Sequence, residues 1–212
     1  MTEILIEGFN KTIIMVFFST LFSVILGFIP AIILIVTAPK GLKPNKTIFN
    51  TLDTIINILR GFPFIILMVA IMPLTKLIVG KSIGTTAAIV PLTIAAAPFV
   101  ARIIESALKE VDPGVVEAAK SFGASNTQII FKVMLKEAVP SIISGLTLTI
   151  ISIIGYSAMA GTVGAGGLGD LAVRYGYQRY QTDVMIVTVI ILVIIVQVLQ
   201  SLGNYLYKKL SQ

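Results

Sequence analysis

A chain of 212 residues with 56% hydrophobic side chains, 12% charged ones and a mean hydropathy of +0.99 is too apolar for an ordinary water-soluble domain. It has no cysteine and no histidine, which excludes disulfides, thiolate or imidazole metal sites, cysteine nucleophiles and Ser-His hydrolysis. The net charge of +6 is spread over several loops, so the expected partner is a lipid bilayer and not nucleic acid.

A hydrocarbon core of about 30 Å takes roughly 20 helical residues to cross. Five stretches meet that length, near 12–39, 55–75, 82–101, 138–162 and 184–207, and predict one all-α transmembrane domain over 1–212. The first follows a short arm without the basic start and small-residue cleavage pattern of a signal peptide, so it is expected to be retained. The second is uncharged except for Arg60, placed near one end, where its guanidinium is expected to snorkel to the headgroups.

Lysine bias chooses the orientation. Lys40, Lys43 and Lys46 fill the first loop, Lys109, Lys120, Lys132 and Lys136 the third, and Lys208 and Lys209 the C-terminus. These regions are expected in the cytoplasm, with the N-terminus outside. Asp53, Glu105, Glu110 and Glu137 then all lie near the cytoplasmic boundary, so no buried carboxylate is expected to relay protons. Arg102 and Glu105 are expected to form an interfacial i, i+3 pair worth a few tenths of a kcal/mol.

The loop near 110–136 is the most polar long segment. Asp112-Pro113 gives an N-cap and a first-turn proline, and Gly123 stands where a left-handed C-terminal cap falls, which predicts a short helix. Val115, Ala119 and Phe122 share one face of it, and Ser125 or Asn126 can cap a second helix running toward Pro140. So short a helix needs packing or a partner to hold it. It reads equally as a docking element or as a plain turn on the headgroups.

Two motifs mislead. Gly164 to Gly169 fits G-x-G-x-x-G but follows a long apolar span, so its glycines are expected to unwind a helix end and allow close packing. Gly80-Lys81-Ser82 ends like a Walker A loop, but Thr75 stands where that loop needs glycine. The fourth span carries Ser152, Tyr156, Ser157 and Met159, of which Tyr156 and Met159 are the candidates for a solute path.

Glu117-Ala118-Ala119, three residues, then Gly123, with Val133 and Leu135 beyond, resembles the EAA motif of type I ABC importer permeases. The proline usual after the leucine is Lys136 here, which leaves the bend of the second helix open, while Pro140 is present. The stretches "NILRGFPFIILM" and "GYSAMAGTVGAGGLGDLAVRYGYQRYQTDVM" are similar to methionine importer permeases. The resemblance implies a bacterial inner-membrane permease with a cytoplasmic coupling helix carrying Glu117, Ala118, Ala119 and Gly123. It also implies a homodimer, two cytoplasmic ABC ATPases that use ATP and Mg, and an extracytoplasmic solute-binding lipoprotein. The chain itself would hold no cofactor and catalyse nothing. Another solute of the same superfamily, an ion-gradient-driven transporter, or a scaffold without transport are the alternatives.

Overall fold

The computed structural model describes residues 2–211, and among them every regular element is helical. Helix α1, Thr2–Thr37, carries Gly8, Thr12, Ser19, Ser23, Gly27 and Ala31 on one buried stripe. Small side chains at that spacing let two backbones approach closely, which is how helices associate where lipid is as apolar as leucine. The neighbour is α5, Thr85–Lys109, whose own buried face is rich in alanine. A Cβ on Gly27 would lie 2.6 Å from the carbonyl oxygen of Ala97, so this contact has no room for any larger residue.

Helix α2, Lys46–Gly61, starts at Asn45, whose side chain accepts from the N–H of Ile48. It stops at Phe62-Pro63. Pro63 has no N–H to continue the ladder and keeps Phe62 extended (φ −72°, ψ 127°), so α3, Phe64–Ala70, leaves at 101° to α2. Helix α4, Met72–Val79, follows and ends on Gly80 at φ +79°. The stretch expected as one span over 55–75 therefore bends sharply after α2. Four helices are long and apolar enough to cross a membrane, and the bent pair α2 and α3 makes a fifth only if counted together.

Beyond α5 come α6, Pro113–Ser121, and α7, Asn126–Gln128, which opens with a capping box between Ser125 and Gln128. A π-helical turn, Ile129–Met134, joins α7 to α8, Leu135–Gly161, so the second helix runs through Lys136 without a stop. Pro140 lies inside α8, early in its course. Helix α9, Gly167–Leu171, continues as a π-helical turn over Ala172–Tyr177, and α10, Thr182–Leu210, ends the fold.

Two apolar cores stack along α5. One gathers Met15, Phe64, Leu92 and Ile153, and the other, at the α6 end, gathers Leu34, Ile104, Leu108 and Ile129.

Candidate functional site

At the α6 end, the Asp112 carboxylate accepts from the N–H of Gly114 at 2.7 Å and starts the short helix. Gly123 takes φ +79°, and the N–H groups of Gly123 and Ala124 donate back to the carbonyls of Lys120 and Ala119. Those two bonds form a Schellman cap, in which a left-handed residue saves carbonyls that would otherwise go unpaired. No Cβ contact forces glycine here; only the backbone angle does.

The inward face of α6 is Val116 and Ala119, which rest against the inner core. The expected apolar face of Val115, Ala119 and Phe122 is thus corrected: Phe122 is 91% exposed and points away from the bundle. The backbone turns at Gly123 after only nine helical residues, so Phe122 at the C-cap swings off the packed side. Glu117 and Ala118 are also exposed. Behind them a cavity of about 520 Å³ opens between the α1–α2 loop, the end of α5 and α6, with Glu117 and Lys120 on its wall.

Immediately beneath, a charged network ties α2 to α5. Arg102 donates to Asp53 at 2.7 Å, to the side-chain oxygen of Asn57 at 3.0 Å and to Glu105 at 2.6 Å. Lys109 Nζ lies 2.5 Å from the other Glu105 oxygen, an ion contact off the hydrogen-bonding direction. Glu105, in the last turns of α5, is fully buried among side chains, against the expectation that no carboxylate would be, and the Arg102–Glu105 pair is more than a surface i, i+3 contact. The two cations face that carboxylate from both sides, which offsets the cost of burying it. Because Asp53 and Asn57 are some fifty residues distant in sequence, spacing within α5 alone could not reveal them.

Tyr156 is half-buried near the end of α8, its ring stacked on Phe64 at 4.9 Å, just past the break after α2. Met159 is half-exposed on the same helix, on a stripe with Ser144, Ser152 and Thr162 that no other helix of the chain covers. Arg60 is half-buried at the far end of α2. Phe49 meets Lys109 and Asp53 meets Arg102, so α2 runs antiparallel along α5 and carries Arg60 inward, where its guanidinium carbon sits 5.0 Å from the Phe99 ring centre. Phe99 is ten residues, about 15 Å of helix rise, from Lys109.

At the opposite end, the glycines do the work expected of them. Gly164, Gly166 and Gly167 all take left-handed φ values, and a Cβ on Gly169 would strike the backbone of Ala158. The Leu168 N–H donates to the Thr12 hydroxyl at 2.9 Å, so this loop spends a donor on packing α9 against α1 and not on a phosphate.

The sequence family described as a binding-protein-dependent transport system inner membrane component matches residues 23–212, and the chain belongs to it. It is a multi-pass inner-membrane permease subunit of an ABC importer, a class in which separate subunits hydrolyse ATP. A probable D-methionine transport system permease protein, MetI, of Vibrio cholerae is 51% identical over 209 residues, 99% of this chain and 93% of its own. The methionine import system permease protein MetP of Bacillus subtilis is 43% identical over 174 residues, 82% of this chain and 78% of its own. A solved structure of inward-facing conformations of the MetNI methionine ABC transporter matches with a TM-score of 0.98 at 43% identity, over 100% of this chain and 98% of that one. An amino acid ABC transporter solved with histidines, 22% identical with a TM-score of 0.81 over 98% of this chain and 94% of that one, shares the fold.

Proposed function

We propose that this permease imports methionine as a homodimer, driven by two cytoplasmic ABC ATPases and supplied by an extracytoplasmic binding lipoprotein. The observation that carries the solute is the 51% identity over nearly the full length of both chains to a protein named for D-methionine transport. The match to the MetNI transporter in its inward-facing form supports the ATPase partnership and the same conformation here.

Helix α6 is the coupling element, with Glu117, Ala118, Ala119 and Gly123 as its seat and Phe122 as its anchor. Support comes from its shape: a capped helix with one face on the core and the other bare. ATP and Mg bind in the partners, whose closure moves α6. That movement needs α6 to fit one ATPase state better than the other, since equal affinity shifts no equilibrium. The charged network under α6 hands the motion on to α2. Lysines gathered in the α1–α2 loop, the α5–α8 connection and the C-terminus favour placing these regions in the cytoplasm and the N-terminus outside.

The solute path runs between two copies, along Tyr156 and Met159. The uncovered Ser144, Ser152, Met159 and Thr162 stripe supports this, as does a polar stripe on α2 through Thr47, Thr54 and Asn57, all exposed within one chain. Polar groups at membrane depth belong against protein or water, not against lipid.

Reconstitution in vesicles with the ATPase and binding protein tests the reading. Labelled methionine is expected to accumulate with ATP and to go on accumulating when proton and sodium gradients are collapsed. Accumulation that stops with the gradients while ATP is held constant contradicts it and favours an ion-driven carrier.

A further inference from the structure

The chain has two arginines inside its helical bundle, and they are treated in opposite ways. Arg102 has three side-chain partners. Arg60 forms no ion pair among the described residues, and its Nε is sealed from solvent with no acceptor. It rests on the face of Phe99, and its two terminal nitrogens are not sealed within the chain. An unneutralised guanidinium at this depth is expensive, and a cation kept in such a place ordinarily marks a substrate or ion pathway.

Phe99 has a second role as a wall of a small cavity of about 160 Å³ between α5 and α8, lined also by Ala96, Ile103, Leu148, Ser152 and Tyr156. The lining is mostly apolar with two hydroxyls, Thr149 and Ser152, and a phenol, and Tyr156 links it through Phe64 to the end of α2. Ser152 already donates to the Leu148 carbonyl at 3.0 Å, which leaves its oxygen as an acceptor. The volume is below the roughly 300 Å³ at which small-molecule pockets begin, as expected of a half-site that a second copy completes.

The end of α2 supplies the remaining chemistry. Its last carbonyls have no intrahelical donors, and Pro63 has no N–H to offer Leu59, whose oxygen takes only a long 3.5 Å bond from Phe62. A helix C-terminus carries partial negative charge and favours a cation.

We propose that Arg60 and the α2 break form the intramembrane site for the transported solute. The Arg60 fork takes the carboxylate of a free α-amino acid, the carbonyls at the end of α2 take its ammonium, and the Phe99–Tyr156 cavity takes a compact apolar or thioether side chain. The guanidinium is suited to this because it matches a carboxylate with two parallel N–H bonds, which a lysine cannot do. This rests on the proposed import of an amino acid and adds where and how it is held.

The test uses the complete transporter, with ATPases and binding protein, in vesicles. Methionine uptake and ATP hydrolysis are measured together for the parent, Arg60→Lys and Arg60→Gln, in phosphatidylcholine vesicles and in vesicles with added anionic lipid. Arg60→Gln is expected to lower uptake at least tenfold and to raise the ATP used per methionine moved, with Arg60→Lys between it and the parent, in both lipids. Uptake by Arg60→Gln within twofold of the parent overturns the site. So does a proportional fall of uptake and hydrolysis, which marks a folding or assembly role. A loss confined to anionic vesicles assigns Arg60 to a lipid phosphate and also overturns it. A parent that accumulates no methionine removes the proposed solute itself, a failure visible before any variant is compared.

Discussion

Helices α5 and α10 are both apolar and both long enough to span a bilayer, yet 61% of the most apolar stretch of α5 is buried within the chain and only 11% of that of α10. The difference lies in side-chain size. Helix α5 offers Ala87, Ala88, Ala95, Ala96, Ala101 and Ala107 to its neighbours, which lets α1 and α8 close around it. Helix α10 presents Ile186, Val189, Ile190, Val193 and Ile194 outward, which suits lipid or a second copy. In a membrane, hydropathy says that a helix is inserted, whereas small residues say what it packs against.

The contrast can be broken most severely at Glu105. Glu105→Ala removes the buried counter-charge shared by Arg102 and Lys109; because Arg102 keeps Asp53 and Asn57 and Lys109 is half-exposed, the loss is that of charged hydrogen bonds, about 2–3 kcal/mol. The variant is expected to lose most folded protein in a detergent thermal-melt assay, while Asp53→Asn, at the half-buried edge of the same network, loses less. Gly27→Val is expected to come next. Its side chain must enter the α1–α5 contact beside Ala97 and Val100, and overpacking of this kind costs about 1–3 kcal/mol, seen as a lowered melting temperature. Ile190→Ala on α10 should show the smallest effect on the isolated chain, within about 0.5 kcal/mol. A large loss there, seen only when the protein is dimeric, would assign that face to the second copy and sharpen the comparison.

What could be read beforehand divides along the same line between local and distant causes. The caps of α6 were legible because Asp112, Pro113 and Gly123 act on backbone atoms a few residues away. The glycine-rich segment was legible as packing for the same reason, although its partners Thr12 and Ala158 were not. The second span was blurred because an average over twenty residues hides one Pro63, even though the residue before a proline is a probable helix boundary. The surroundings of Arg60 and Glu105 are not legible in the sequence, because they come from Phe99 on another helix and from a carboxylate–cation group that only the fold assembles. The side on which Phe122 falls is not legible from a helical wheel, which assumes that the helix continues, and here it ends.

Coupling through α6 is the claim on which the rest depends, and ATP-driven methionine accumulation by a Glu117→Ala, Gly123→Ala double variant tests it most directly. The substitutions remove the exposed carboxylate and put a Cβ on a left-handed residue, a conformation that costs an ordinary residue about 1–2 kcal/mol. Folded protein should be retained, because neither position is packed in the core. The account predicts that accumulation falls at least tenfold while the ATPase subunits still bind nucleotide. Accumulation at the parental rate, driven by the same ATPases, contradicts it.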